Sequence, residues 1–139
     1  MVYREPFTGL IEYISRNYSG KIVEVCSGKM FRVAIELKKR GFDVICVDVK
    51  AIDTPDIRFI QDDIINPKDE IYSNASLIYS IRPPYELYKH ILKIAEKNNA
   101  DCIIKPFYGE IPEEFRLMNY RGDHFYIRKF SKNHPKILK

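Results

Sequence analysis

Acidic side chains recur beside apolar runs in the first half of the chain. Glu24 lies within the run 21–25, Asp48 ends a second run, and Asp62 and Asp63 follow a third. An ionised carboxylate inside an apolar strand is costly unless it is paired. In an open parallel sheet the carboxyl ends of the strands share one edge, and ligands bind there. If the runs are parallel strands, the acids meet at that edge, although each acid alone is equally well explained as a helix N-cap.

A short turn, Cys26-Ser27-Gly28, separates the first apolar run from a helix predicted over 29–40. Backbone N–H groups in such a turn, with a helix N-terminus behind them, bind anions or carboxylates. A dinucleotide site needs three glycines here, but Gly28 stands alone and Phe31 occupies the third place. The G-x-x-x-x-G-K-[ST] string is also absent, so the sequence gives no support for ATP or GTP hydrolysis. The Cys26 thiol is predicted to be a small core-facing group rather than a nucleophile of lowered pKa.

The string Ile-Arg-Pro-Pro-Tyr at 81–85 follows a fourth apolar run. Two consecutive prolines fix a rigid loop with few backbone donors at the ligand edge of the sheet. The Arg82 guanidinium suits a carboxylate or phosphate held by two hydrogen bonds. It equally suits Glu24 or Asp48 across the cleft, in which case it only neutralises the acids while the prolines begin a helix.

Basic and aromatic residues are interleaved over 119–130, and residues 115–139 hold seven Lys or Arg against one Asp. Such interleaving serves phosphate contacts and base stacking on single-stranded nucleic acid, so RNA binding by this segment is one prediction. The favoured alternative is a solvated edge strand whose charges prevent pairing with other chains. His90, His124 and His134 lack ligand spacing, so no metal site is predicted.

The elements that must position these residues follow from the hydrophobic pattern. Apolar runs alternate with helical stripes, which is typical of a mostly parallel sheet covered by helices on both faces. The link 48–57 is too short for a crossover helix, so one outer helix is expected to be absent. The string Arg-Gly-Asp at 121–123 predicts the turn of a C-terminal β-hairpin. The predicted strands cover 21–25, 42–47, 57–60, 75–79, 101–105, 115–120 and 124–130, and the predicted helices cover 6–18, 29–40 and 83–98.

Over residues 21–105 this arrangement resembles the class I S-adenosylmethionine-dependent methyltransferases. That family carries an acid and a Gly-rich turn at the first strand, an acid after the second strand for the ribose hydroxyls, and often an Asp after the third near the adenine amine. The resemblance implies a Rossmann-like α/β fold and S-adenosylmethionine as cofactor. Cys26 and Met30 stand where the family usually has glycine. The cofactor-binding residues that it implies are Glu24, Cys26, Ser27, Gly28, Asp48, Asp62 and Asp63.

Amino-group methyltransferases follow the fourth strand with Asn or Asp, two prolines and an aromatic residue. There the amide or acid and a backbone carbonyl hold the target amine, and the aromatic ring stacks on the base. Here Arg82 takes the place of the Asn or Asp, and arginine cannot accept a hydrogen bond, so this is not a working copy of that motif. The substrate-binding residues implied by the position are Ser80, Arg82, Pro83, Pro84 and Tyr85. With its I-Y-S-I-R-P-P and N-Y-R-G-D-H-F-Y strings, the chain is also similar to a family of small uncharacterised archaeal proteins with a reduced Rossmann-like fold.

Composition limits the remaining possibilities. A chain of 139 residues with 45% apolar and 30% charged residues is predicted to form a single globular domain over 1–139. No apolar run approaches the ~20 residues of a membrane span, and no signal peptide is recognised. Three cysteines without a C-x-x-C pair indicate a reducing compartment, so the predicted location is the cytoplasm. The abundance of Ile, Lys and Glu favours a thermophilic source.

Two functions remain in view. The first is an S-adenosylmethionine-binding, methyltransferase-like enzyme that takes a nucleoside-type ligand. The second is a non-catalytic module that binds a nucleoside, RNA or a protein on a degenerate methyltransferase fold, which the missing glycines and small size favour. The cleft expected between Gly28, Asp48 and Arg82 is open in the first case and filled by Met30, Phe31 or Cys26 in the second.

Overall fold

A seven-stranded sheet runs through the centre of the molecule. The computed structural model describes residues 6–107 and 109–131. The strands are β1 Lys21–Val25, β2 Asp43–Asp48, β3 Arg58–Gln61, β4 Leu77–Ile81, β5 Asp101–Lys105, β6 Arg116–Tyr120 and β7 Asp123–Arg128. Their order is β3-β2-β1-β4-β5-β7-β6, with β1 to β5 parallel and β7 antiparallel to both β5 and β6. The predicted Rossmann-like α/β fold with a C-terminal hairpin is confirmed.

Helices cover both faces of this sheet, because successive strand residues point to opposite sides and both sides are apolar. Leu10, Leu37 and Ile22 belong to one buried cluster, whereas Ile91 and Val23 belong to the other. The helices are α1 Thr8–Asn17, α2 Arg32–Lys39, α3 Asp69–Tyr72 and α4 Tyr88–Lys97, with a 3₁₀ turn at Tyr85–Leu87. The first cluster lies under α1 and α2, and the second lies under α3 and α4.

The strand order reverses at β1, and this fixes where a ligand can enter. The chain builds outward from β1 to β2 and β3, then returns to place β4 on the other side of β1. The loops after β1 and β4 therefore leave the sheet in opposite directions and open a crevice between them. Such a switch point is the usual ligand site in open α/β sheets.

Three predicted boundaries are corrected by the structure. The second helix begins at Arg32 rather than at residue 29, because Gly28 has a left-handed φ of 56° and a turn follows it. The fourth strand is Leu77–Ile81 rather than 75–79, because pairing with β5 extends to Ile81. The predicted helix over 83–98 begins only at Tyr88, after the 3₁₀ turn, since Pro84 is extended with ψ 138°.

The connection between β2 and β3 contains no helix, as its length predicted. The hairpin turn has two residues rather than three, because Tyr120 pairs directly with Asp123. Arg121 and Gly122 both have positive φ, 49° and 89°, which is the type I′ geometry that suits a twisted hairpin. Within residues 6–107 and 109–131, no helix is long and apolar enough to cross a bilayer.

Candidate functional site

A cavity of about 400 Å³ opens at the carboxyl edge of the sheet, beside the switch point between β1 and β4. Segments that follow four different strands line it, so it exists only because the topology brings them together. The lining residues are Val25, Cys26, Gly28, Val47, Asp48, Val49, Asp62, Asp63, Ile64, Ile65, Pro84 and Leu87. Carboxylates thus lie among apolar walls, the combination that suits a ligand with both a polar and a flat apolar part.

The turn after β1 keeps its backbone close to this cavity. Cys26 and Gly28 both have left-handed φ, 55° and 56°. A Cβ added at Gly28 would meet no atom within 4 Å, so the space in front of its backbone is open. Ser27 is buried and donates its N–H to Val47 O (3.0 Å), which ties the turn to β2. The backbone at Gly28 is therefore free for close approach by a ligand.

Asp48 holds the turn in place from the end of β2. Its Oδ2 accepts from the Gly28 N–H at 2.7 Å, and its Oδ1 accepts from the Lys50 N–H at 3.1 Å. Each oxygen keeps lone-pair capacity, because a carboxylate oxygen accepts more than one hydrogen bond. The Asp48 carboxylate thus both orders the turn and lines the cavity.

The Cys26 thiol is half-buried and lines the cavity. Burial, with a smaller contribution from the nearby Asp48 carboxylate, raises the pKa of the Cys26 thiol to about 12. The raised pKa disfavours a thiolate nucleophile, and Cys26 packs partly against the core cluster under α3 and α4. Its left-handed backbone is unusual for a residue with a Cβ and normally belongs to glycine.

The two carboxylates after β3 have different surroundings, which the sequence left undecided. Asp62 is buried, and its oxygens accept from the Tyr72 hydroxyl (2.8 Å) and from the Lys68 N–H (3.3 Å). Asp63 is exposed, and its Oδ1 accepts from the Ile65 N–H at 3.0 Å. Asp62 therefore uses its hydrogen bonds to stabilise the loop, whereas the exposed Asp63 carboxylate can still accept hydrogen bonds from a ligand.

Glu24 lies inside the sheet rather than at the cavity. It is 1% exposed, and its Oε1 accepts from the Tyr79 hydroxyl at 2.7 Å. Burial raises the pKa of the Glu24 carboxyl and the Tyr79 hydrogen bond lowers it, and the net pKa is about 8. The Glu24 side chain therefore joins two neighbouring strands and does not line the cavity.

The predicted substrate residues after β4 separate into several environments. Ser80 is buried and donates to Val25 O at 2.6 Å. Pro83 is buried, Pro84 lines the cavity, and Tyr85 is exposed, with its ring 5.0 Å from the ring of Tyr88. Only one of these five predicted positions therefore lines the cavity directly.

Arg82 lies outside the cavity, contrary to the expected cleft between Gly28, Asp48 and Arg82. Its guanidinium lies over the Phe7 ring, 5.6 Å from the ring centroid, on the side of the sheet covered by α1. A left-handed φ of 55° directs the chain this way at the end of β4. The expectation that Arg82 neutralises the acids of the cleft is wrong for this reason.

Neither Met30 nor Phe31 fills the cavity. Phe31 packs against the cluster under α1 and α2, and its ring is 6.4 Å from that of Phe59. Met30 is exposed and does not line the cavity. Cys26 lines the cavity but leaves about 400 Å³ unfilled, so the cavity is open, the outcome expected under the first of the two hypotheses.

Sequence reasoning missed the apolar walls of the cavity. Val49 and Ile65 are 59% and 58% exposed, unusual values for large aliphatic side chains, and both line the cavity. A signal was present in the sequence, because Val49 directly follows Asp48 and Ile65 lies two residues beyond Asp63. Exposed apolar side chains beside a cleft indicate a face that a ligand covers.

The basic hairpin is engaged largely with the protein itself. Arg121 lies over the Tyr120 ring, and Arg128 forms an ion pair with Glu114 at 3.1 Å. Lys132, Lys136, Lys139 and His134 lie outside the described residues, and RNA binding stays a prediction. The described residues hold no group of three or more His, Cys, Asp or Glu arranged to bind a metal ion.

Comparison with known sequences decides the family. The model of an uncharacterised protein family, UPF0146, matches residues 7–130. The chain belongs to this family. The UPF0146 protein of Archaeoglobus fulgidus is 46% identical over 119 residues, covering 85% of this chain and 91% of that relative. A relative from Methanocaldococcus jannaschii is 41% identical over 130 residues, covering 86% of this chain and 94% of its own length. The predicted membership of a small archaeal family is confirmed.

Solved structures of S-adenosylmethionine-dependent methyltransferases are similar in fold to this chain. A TehB-like S-adenosylmethionine-dependent methyltransferase from Corynebacterium glutamicum matches with a TM-score of 0.57 at 17% identity, covering 90% of this chain and 86% of that one. A putative S-adenosylmethionine-dependent methyltransferase from Methanococcus maripaludis matches with a TM-score of 0.60 at 12% identity, covering 89% and 84%. At such identities the likeness concerns the fold.

Proposed function

We propose that this protein binds S-adenosylmethionine at the carboxyl edge of the sheet and acts as a methyltransferase-like enzyme. The single observation that carries the proposal is the open cavity of about 400 Å³ at the switch point, with the Gly28 backbone and the Asp48 and Asp63 carboxylates on its walls. These are the groups that the resemblance to class I methyltransferases assigns to the cofactor.

The residues present fit the nucleoside half of the cofactor. Asp48, at the end of β2, has the chemistry to accept from ribose hydroxyls, because its oxygens keep lone-pair capacity beyond their two backbone bonds. Asp63 accepts one backbone N–H and can accept from the adenine amine. Val49 and Ile65 supply the exposed apolar surface that a flat base covers. Asp62 supports this wall through Tyr72.

The turn after β1 fits the amino-acid half. The open space in front of Gly28 admits a ligand chain close to the backbone, and a side chain there would fill it. Cys26 has a left-handed φ of 55°, a conformation that glycine adopts without strain, at a position where class I methyltransferases usually have glycine.

When bound, S-adenosylmethionine supplies an electrophilic methyl group. Transfer to a good nucleophile depends mainly on holding the acceptor in line with that methyl group, so a general base is not required. Pro84 and Leu87 bound the cavity on the β4 side, where the acceptor would have to enter.

Calorimetry with S-adenosylmethionine and S-adenosylhomocysteine tests this proposal. The Asp63→Ala variant should bind roughly 10- to 100-fold more weakly, because one hydrogen bond to a charged group is lost. Asp56→Ala is the matched control, since Asp56 is also an exposed acid near β3 but does not line the cavity. Absence of binding below millimolar concentration in the wild type would refute the proposal.

The second candidate is binding of a nucleoside without methyl transfer. The observation that favours it is Cys26, whose side chain lies on the cavity wall where the family has glycine. Tight binding of adenosine together with weak binding of S-adenosylmethionine would support this candidate, because the loss would then lie in the amino-acid half beside Cys26.

A further inference from the structure

Two cations lie side by side at the carboxyl ends of β4 and β5, on the same edge of the sheet as the cavity. Lys105 ends β5 and pairs with Ile81, the last residue of β4. Arg82 follows directly, and its N–H donates to Lys105 O at 2.6 Å. The backbones that carry the two side chains are therefore locked to each other.

The contacts of these side chains leave charge available. The Arg82 side chain is exposed and lies over the Phe7 ring, and Lys105 Nζ donates to His124 O at 2.6 Å. Over residues 6–107 and 109–131, neither cation forms an ion pair within 4 Å of a carboxylate. An ammonium group has three donors, so Lys105 keeps two for another partner.

Charged groups of both signs act on Lys105. Burial lowers the pKa of Lys105, the Asp123 carboxylate raises it, and the smaller effect of the neighbouring Arg82 lowers it. The Asp123 carboxylate is shared, because its Oδ2 accepts from the Leu10 N–H at 2.7 Å. Arg82 and Lys105 are thus near enough to act on each other, and both would attract an anion bound between them.

The backbone at Arg82 is also unusual. Its φ of 55° lies in the left-handed region, which is unfavourable for a residue with a Cβ. The two prolines that follow fix the chain immediately after it. Strain of this kind persists where the position of a side chain is needed.

We propose that Arg82 and Lys105 form an anion-binding site for a carboxylate or phosphate group at the same edge of the sheet as the cavity. The planar guanidinium offers a pair of donors to two oxygens of the anion, and the ammonium adds a compact charge. This inference deepens the proposed function and rests on it for the source of the anion, which is either the amino-acid end of the cofactor or an acidic acceptor.

Three ligands distinguish the two possible sources of the anion. S-adenosylhomocysteine carries the carboxylate, 5′-methylthioadenosine has the same nucleoside and thioether without the amino-acid end, and phenyl phosphate stands for an acidic acceptor. Binding is measured by calorimetry and by NMR of the wild type, Arg82→Gln and Lys105→Gln. Arg58→Gln is the matched control, because Arg58 is exposed at the opposite end of the sheet. Thermal unfolding establishes whether each variant folds. If only one of the two site variants folds, that variant is sufficient for the test.

The site takes the cofactor carboxylate if Arg82→Gln weakens the binding of S-adenosylhomocysteine by at least about 10-fold and leaves the binding of 5′-methylthioadenosine unchanged. It takes an acidic acceptor if both adenosyl ligands bind unchanged and phenyl phosphate binding is lost. If phenyl phosphate binds at Arg82 and Lys105 but no adenosyl ligand binds the wild type, the proposed function fails and the anion site stands. The anion-site proposal is overturned if the Arg82→Gln and Lys105→Gln variants bind each ligand as tightly as the Arg58→Gln control does. It is also overturned if neither S-adenosylhomocysteine nor phenyl phosphate binds the wild type.

Discussion

At the scale of single residues, the buried Glu24 carboxyl links the stability of the fold to pH. Its pKa is raised by burial to about 8, above the ordinary value of 4.5. The folded state therefore holds the proton more tightly than the unfolded state. The stabilisation is fully present below pH 4.5 and is lost as the pH rises toward 8, at about 1.4 kcal/mol per pH unit.

The Glu24→Gln variant should lose this pH dependence, because an amide can still accept from the Tyr79 hydroxyl and does not ionise. Guanidinium unfolding at pH 5, 6, 7 and 8 measures the effect. The wild type should lose stability over this range more steeply than the variant. Parallel curves for the two proteins would mean that Glu24 is ionised in the folded state throughout.

Backbone strain at Arg82 gives a second prediction at this scale. Arg82→Ala removes the side chain and keeps a Cβ in the left-handed conformation, whereas Arg82→Gly also removes the strain. We expect the glycine variant to be more stable than the alanine variant by about 1 kcal/mol in denaturant unfolding. Equal stability of the two variants would show that the backbone relaxes to negative φ without cost.

At the scale of elements, α1 is held against the C-terminal hairpin through Gly9. A Cβ at Gly9 would lie 2.1 Å from Tyr120 O, and the next residue, Leu10, donates its N–H to Asp123. The hairpin backbone therefore lies too close to α1 for any side chain at this position. Because β7 also pairs with β5, this contact ties the beginning of the described chain to its end.

Gly9→Ala should consequently destabilise the protein, although alanine favours a helix by about 1 kcal/mol in open surroundings. We expect a loss of more than about 2 kcal/mol in denaturant unfolding, because backbone must move. Asn17→Ala is the control on the same helix, since among the residues that the structure describes the Asn17 amide donates only to Tyr13 O of its own helix. A Gly9→Ala protein as stable as the control would contradict this close packing.

Elements were predictable where a local signal agreed with the tertiary structure. The strands β1 and β5 match their predicted bounds, because each apolar run ends where its sheet pairing ends. The bounds of β4 and α4 were missed for a physical reason. The end of β4 depends on its pairing with β5, and the start of α4 depends on the extended ψ of Pro84. A short stretch of sequence reveals neither of these.

At the scale of the whole molecule, the topology rather than any single motif assembles the candidate site. The spacing of the acids predicted the shared edge, and the structure brings Asp48 and Asp63 to one cavity. The choice between Asp62 and Asp63 depends on the distant Tyr72 hydroxyl, which no local pattern reveals. The side on which Arg82 lies depends on a left-handed residue at the end of β4, and the sequence gives no sign of it.

The central claim is that an adenosyl ligand binds at this cavity, and an NMR titration with S-adenosylhomocysteine tests it most directly. The account predicts saturable shifts of the Gly28, Asp48, Asp63 and Ile65 backbone amides, which lie around the cavity, and much smaller shifts at Arg116 and Leu117 on the outer hairpin strand. Unshifted cavity amides at millimolar ligand, or shifts confined to the hairpin, would contradict the account.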